Sequence, residues 1–211
     1  RGFSFKRDGP LDMRMSREGT SAFDIVNEAT EADIANIIYF YGEERAARKI
    51  AKLIVLERAR QPISTTFQLA EIISRAVRML KIKSKRPLDP TARTFQALRI
   101  AVNDELNELQ SGLLGAEKVL PLGGVLAIVS FHSLEDRLVK RFIKSRSQLS
   151  SGRSRFLPDQ DRVEPTFKDL SKKVITPSKK EVLENSRARS AKLRICVKVS
   201  EKADFYDRIE P

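Results

Sequence analysis

One cysteine, one histidine and no tryptophan occur in 211 residues, and each shortage removes a class of function. Cys196 has no second thiol to pair with, so a disulfide framework is excluded and a reducing, cytoplasmic setting is expected, or a mitochondrial or plastid one in a eukaryote. One Cys and one His do not make a zinc cluster, and no metal is assigned. No stretch approaches the roughly 20 apolar residues of a spanning helix, so no membrane partner is expected. Neither a Gly-x-Gly-x-x-Gly nor a Walker loop is present, which leaves no glycine-rich phosphate cradle. The first Met is Met13 and no signal pattern precedes it, so the chain is read as starting partway through a larger protein.

Acids are also scarce relative to bases. Forty Lys and Arg against 28 Asp and Glu give a formal charge of +12, which points to a polyanionic partner, nucleic acid first. Hydrophobic residues make up 41% of the chain, enough for a real core. Two basic clusters stand out: Arg137 to Arg155, with no acid between them, and Lys172 to Arg194, diluted only by Glu181 and Glu184. Either suits a phosphate track.

Residues 1–19 are rich in Gly, Pro, Asp and Arg without a sustained period and read as a loop. From 20 to about 82 the pattern is helical. A short helix covers Phe23 to Glu28, Thr30 starts a second that Gly42 breaks, Ala47, Ile50, Ala51 and Ile54 stripe a third, and a fourth runs from about Thr65 to Leu80. Lys81 to Pro90 is a basic connector. Phe95, Leu98, Val102, Leu106, Leu109 and Leu113 then predict one continuous helix about five turns long. Its second stripe, Gln96, Arg99, Asn103, Asn107 and Gln110, would suit base edges and phosphates if it lined a cleft. Gly112-Leu113-Leu114-Gly115 is taken as that helix's C-terminus.

Gly123-Gly124 leads into five apolar residues, Val125 to Val129, which predict a parallel strand buried on both faces. The strand delivers Ser130, His132, Ser133 and Asp136 to its carboxyl end, where open α/β sheets bind ligands. Ser133 is expected to cap the next helix. A loop from Arg146 to Pro165, a strand within Phe167 to Ile175 and a short helix from Pro177 to Ser186 follow. Leu193, Ile195, Val197 and Val199 alternate as in a half-buried strand near a sheet edge. This order belongs to the second half of a doubly wound α/β sheet.

Several strings resemble one family. Arg1-Gly2-Phe3-Ser4-Phe5 with Asp8-Gly9-Pro10-Leu11-Asp12-Met13-Arg14-Met15 comes first, then Tyr41-Gly42-Glu43-Glu44-Arg45 and Arg93-Thr94-Phe95-Gln96-Ala97-Leu98-Arg99-Ile100. Val102-Asn103-Asp104-Glu105-Leu106, Ser130-Phe131-His132-Ser133-Leu134-Glu135-Asp136-Arg137 and Arg187-Ala188-Arg189-Ser190-Ala191-Lys192-Leu193-Arg194 complete the set. Together they resemble the bacterial 16S rRNA cytosine-N4 methyltransferase family, often called MraW. Asp89-Pro90-Thr91-Ala92 and Asn185-Ser186-Arg187 depart from its usual pattern.

The resemblance implies an α/β fold: the C-terminal half of a Rossmann-like class I methyltransferase sheet with an inserted all-helical domain. The divisions expected are an active-site loop over 1–19, the helical insertion over 20–90 and the methyltransferase domain over 91–211. It implies S-adenosylmethionine as cofactor and, as partner, small-subunit rRNA or an immature 30S particle, with a homodimer also compatible. The activity implied is methylation of a cytosine amine in the decoding region. Asp8, Asp12, Ser130 and His132 are the candidates around the cytosine. Arg14, Arg93, Arg99, Asn103, Arg187, Arg189 and Lys192 are the candidates for binding RNA. The family's glycine-rich cofactor motif lies upstream of Arg1, so no cofactor-binding residue is assigned and the chain alone is expected to be inactive. The rival from another class is a non-catalytic basic RNA-binding module.

Overall fold

A computed structural model describes residues 2–16, 18–80, 89–147 and 165–201. The expected connector at 81–88, most of the loop after Arg146, and Arg153 and Arg155 of the first basic cluster lie outside the described residues. Contacts divide the chain into two compact units, Arg1–Glu105 and Leu106–Pro211. The 91–103 segment and residues 2–16 thereby group with the helices, where the sequence suggests a boundary near 91. No helix among the described residues is long and apolar enough to cross a membrane.

The first unit holds helices α1 (Ala22–Glu28), α2 (Glu31–Gly42), α3 (Ala47–Arg58), α4 (Thr66–Met79) and α5 (Pro90–Asn103). Their starts are written in the sequence as caps. Ser21 and Asp24 form a reciprocal capping box on α1, Thr65 and Gln68 form another on α4, and Thr30 accepts the Asp33 N–H on α2. Asp89 caps α5 by accepting the Thr91 N–H at 2.7 Å, with Pro90 at the first helical position. The departure at 89–92 thus still supplies a working helix start. Ile34, Ile38, Ile50, Ile54, Leu69, Ile73 and Leu98 are fully buried where these helices meet, with Leu11 and Met13 of the preceding loop among them. Gly42 is the last helical residue of α2, and the left-handed turn is made by Glu43 (φ 49). Its lack of a side chain serves packing, since a Cβ there would lie 2.9 Å from the Arg93 carbonyl oxygen on α5.

The long helix expected from Thr94 is two helices. Asp104 adopts φ 48, ends α5, and α6 (Glu105–Val119) starts anew. Apolar spacing runs across the break because one left-handed residue leaves the count of apolar positions unchanged. Gly112 and Gly115 sit within α6 and not at its end.

The second unit holds α6, β1 (Val125–Ser130), α7 (Ser133–Ser147), β2 (Phe167–Asp169), α8 (Lys179–Glu184), a 3₁₀ turn (Ser186–Ser190) and β3 (Lys192–Lys198). The strand order is β1-β3-β2, and β3 is antiparallel to both neighbours. β1 and β2 are therefore parallel to each other, joined through α7, with β3 reversed between them. This corrects two expectations: β1 pairs antiparallel with its neighbour, and β3 is central among the three strands.

The faces differ as well. Leu126, Ile128, Cys196 and Phe167 pack with Leu113, Val139, Phe142 and Ile143 into one core. The opposite face carries Val125, Ala127, Val129 and, across the register, Leu193, Ile195 and Val197; Val125 and Val129 are exposed. β1 is thus covered on one face among the described residues. β3 buries Arg194, Cys196 and Lys198, the face its alternation had marked as polar. Lys198 Nζ donates to the carbonyls of Glu117 and Leu120 at the end of α6, at 2.9 and 2.7 Å, which satisfies oxygens the helix leaves open. Glu117 also accepts from Thr166 Oγ1 and from Arg146, whose guanidinium lies over the Phe142 ring. These buried polar groups are paired, the condition on which burial is tolerable.

Candidate functional site

In the first unit the segment 8–15 is fixed from three sides. Pro10 bridges Thr65, Leu11 N–H donates to the Ser64 carbonyl at 3.0 Å and Thr66 N–H to the Gly9 carbonyl at 3.0 Å. Asp8 Oδ1 accepts the Phe67 N–H at 3.1 Å and the Thr66 hydroxyl at 3.3 Å. These bonds, the Phe67 amide first, lower the Asp8 pKa. Asp8 therefore anchors the loop to the first turn of α4. Gly2 (φ 74) lies against this loop, and a Cβ on it would come within 2.3 Å of the Pro10 carbonyl oxygen.

Asp12 and Arg14 form a two-pronged ion pair: Nε to Oδ1 at 2.7 Å and Nη2 to Oδ2 at 3.1 Å, with the Arg14 N–H also donating to Oδ1 at 3.1 Å. Arg14 holds the Asp12 carboxyl down at about 2. Asp12 is thus an anion and a hydrogen-bond acceptor at neutral pH but a very weak base. Met13, between them, has φ 62 and a fully buried side chain. A left-handed non-glycine residue stores local strain and persists where its surroundings over-determine it.

Asn103, expected at the RNA, provides part of that determination. Its Oδ1 accepts the Met15 N–H at 2.8 Å, and its Nδ2 donates to the carbonyls of Met13 and Arg99, each at 2.9 Å. The expectation for Arg93 is corrected. It is buried with Glu44, Nη1 to Oε2 at 3.1 Å, in an ion pair whose angle is not that of a hydrogen bond. A buried, paired guanidinium does not reach phosphate. Arg99 is held two-pronged by Glu105 at 2.7 and 2.9 Å, and Arg14 is matched by Asp12.

In the second unit the turn after β1 is a helix cap. His132 precedes the first residue of α7, its Nδ1 accepts the Glu135 N–H at 3.3 Å, and Glu135 Oε2 accepts the N–H groups of Phe131 and His132 at 2.7 and 3.1 Å. That is the reciprocal pattern of a capping box, with histidine in the place usually taken by Ser or Thr. The expected cap, Ser133, is the first helical residue. The other ring nitrogen, Nε2, lies 3.3 Å from Glu135 Oε1. Burial raises the Glu135 carboxyl, but the bonds from His132 and the Phe131 amide outweigh it, and the group is held at about 2. His132 is therefore placed as a cap, its side chain 8% exposed.

Ser130 is buried and its hydroxyl donates to the Lys192 carbonyl at 3.4 Å, tying β1 to β3. Asp136 accepts from Arg194 at 2.7 and 3.3 Å and from Lys192 at 3.4 Å. Burial opposes the Asp136 charge, yet Arg194 and Lys192 bring its pKa below the usual carboxylate value. Lys192 is thus already paired. Arg187 and Arg189 fall on the 3₁₀ turn, exposed and without an ion pair among the described residues. Sequence reasoning missed Glu135. Its position three residues after His132, at the start of a helix, was the available signal.

The left-handed glycines Gly2, Gly19 and Gly123 do not open helices in the manner of a glycine-rich nucleotide loop.

A model of the MraW methylase family matches residues 1–199. The ribosomal RNA small subunit methyltransferase H of Roseobacter denitrificans is 54% identical over 207 residues, 98% of this chain and 62% of the relative. Proteins of the same name from Methylobacterium nodulans and Rhodospirillum centenum are 55% identical over 195 residues and 54% over 204, covering 92% and 96% of the chain and 57% and 61% of the relatives. The chain thus spans about 60% of the length of these relatives. With the family model aligned to almost all of it, the chain belongs to the MraW methylase family.

Proposed function

We propose that this chain is part of an S-adenosylmethionine-dependent enzyme that methylates the N4 amine of a cytosine in the decoding region of small-subunit rRNA. The observation that carries the reading is the family match over residues 1–199, joined to relatives that are 54% and 55% identical to the chain over the aligned residues and are named ribosomal RNA small subunit methyltransferases. The cofactor would supply an electrophilic methyl group.

This chain's contribution is to hold the acceptor. A cytosine amine is a poor nucleophile because its lone pair is delocalised into the ring, so a fixed acceptor drawing on an amine proton raises its reactivity, and the base must leave its stack to be reached. Of the four residues expected at the chemistry, Asp12 alone presents an ionised, partly exposed carboxylate outside a helix cap or a strand tie. A carboxylate held at about 2 stays charged and accepts a hydrogen bond from the amine, and the amine proton displaced as the N–C bond forms passes to solvent water. Arg187 and Arg189 supply free charge for the RNA backbone. The cytoplasm and the immature 30S particle belong to the same reading.

The test extends the chain to the length of its relatives and supplies labelled S-adenosylmethionine with small subunits lacking the modification. N4-methylcytidine in the decoding region, found by nucleoside mass spectrometry, is the result expected. Salt-sensitive RNA binding without methyl transfer would favour a non-catalytic RNA-binding module instead.

A further inference from the structure

We propose that the outer face of α2 and α3 is a docking surface for single-stranded RNA, with unstacked bases on Tyr39 and Phe40 and phosphates along Arg45, Arg48, Lys49 and Lys52. It rests on the reading that the protein acts on RNA, and it adds a contact region remote in sequence from both the Asp12 loop and the Arg187–Arg189 turn.

Two observations meet here. Tyr39 and Phe40, in the last turns of α2, are 56% and 62% exposed, although α2 buries Ile34, Ala35, Ile38 and Gly42 on its other side. Their rings stand edge to face, centroids 5.2 Å apart. Packing gains nothing from two adjacent rings turned to water, whereas a base has a flat π-face that such rings accept whatever its identity.

The second is charge. α3 buries Ala47, Ile50, Ala51, Leu53 and Ile54, which leaves Arg48 and Lys52 exposed with Lys49 beside them and Arg45 at the entry to the helix. None of the four has an ion pair among the described residues, and no acid occurs from Arg45 to Leu56. Nearby acids are committed: Glu44 to Arg93 and Glu57 to Arg75, while Glu43 makes an interaction of its own. Residues three or four apart share a helix face, so Arg48 or Lys49 and Lys52 form one row, with Arg45 in the turn just before the helix.

α2 and α3 pack together and are joined by residues 43–46, so the ring pair and the start of the cation row lie at the same end of the pair. Cations beside stacking rings are the combination single-strand binders use. A membrane-lying helix would need a continuous apolar stripe, and here the exposed rings occupy only the end of α2.

The experiment measures binding of the chain to a labelled single-stranded 12-mer RNA by fluorescence anisotropy, at several salt concentrations. The variants are Tyr39→Ala with Phe40→Ala, Arg48→Gln with Lys52→Gln, and Tyr39→Phe as the conservative control, all checked for unchanged thermal midpoints. The ring variant should weaken binding about 5-fold or more without changing the salt slope, and Tyr39→Phe should bind as the parent does. The cation variant should reduce the log–log salt slope by about 1.4, the single-strand value for two phosphates. Binding within 2-fold of the parent by both double variants would overturn the proposal. So would effects confined to anionic phosphatidylserine vesicles or to self-association. If the extended protein methylates small subunits while both variants bind RNA unchanged, this surface is wrong and the function stands. If the variants lose RNA while the extended parent shows no methyl transfer, the function fails and the surface stands.

Discussion

Asn103 on α5 donates from Nδ2 to the carbonyl of Met13, the residue held at φ 62, at 2.9 Å. The same amide accepts the Met15 N–H, so one side chain clasps the backbone on both sides of Arg14. The loop that presents Asp12 is therefore set by a residue 88 to 90 positions later in the chain.

Replacing Asn103 by Ala removes the two bonds to the loop together with the one to the Arg99 carbonyl. At about 1 kcal/mol for each bond to the loop, those two alone should cost the chain about 2 kcal/mol in urea unfolding, and limited proteolysis should cut sooner within 12–16. In the extended protein methyl transfer should fall with it. Stability within 0.5 kcal/mol of the parent would show that the clasp does not hold the loop.

Arg93 separates a buried ion pair from a phosphate contact. Arg93→Ala leaves Glu44 buried without its partner and should cost about 3–5 kcal/mol. Arg187→Ala should leave stability unchanged and lower the salt slope of RNA binding by about 0.7, the single-strand value for one phosphate. A folded, stable Arg93→Ala protein with a reduced salt slope would reverse the assignment.

Capping and base catalysis at His132 predict opposite outcomes for one substitution. His132→Asn restores a cap acceptor without an imidazole, so it should keep most of the methyl transfer, while His132→Ala should lose about 1 kcal/mol of stability. Loss of transfer in His132→Asn at unchanged stability would make the ring a participant in the chemistry.

The Glu135 carboxyl, held at about 2 against an ordinary 4.5, links stability to pH. A depressed pKa contributes stability that is fully present above about pH 4.5 and is lost as the pH falls toward 2, on the order of 3 kcal/mol in all. The difference in unfolding free energy between the parent and Glu135→Gln should therefore shrink as acid is added over that window. A difference constant from pH 6 to pH 3 would contradict the bonds drawn to this carboxylate.

The helical unit was legible in the sequence because the apolar period is regular along α2, α3 and α4 and Thr30 marks a start, whereas the cap at Ser21 became evident only in the structure. Three features were not, each for a physical reason. The left-handed residue Asp104 interrupts a helix without disturbing its apolar spacing. A run such as Val125 to Val129 reads the same whether one face or both are covered. Arg194 and Lys198 reversed the buried face of β3 because their charged ends find Asp136 and the last carbonyls of α6, pairings between residues 58 to 81 apart in the chain.

At the candidate site the residue types were legible and their partners were not. Asp8, Asp12 and His132 were all recognised as polar groups in ordered turns. Only the structure separates an anchor for α4, an anion locked to Arg14 and a cap for α7. The arginines show the same limit: Arg93 and Arg187 are equal as letters, and burial beside Glu44 distinguishes them.

Asp12 acting as an ionised acceptor toward the amine being methylated is the central claim. Single-turnover methyl transfer by the extended protein, with Asp12→Asn and Asp12→Ala compared to the parent on the same small subunits, tests it directly. A fall of about 100-fold or more in rate, with subunit binding retained, is predicted. Parent-like rates in both variants would contradict it.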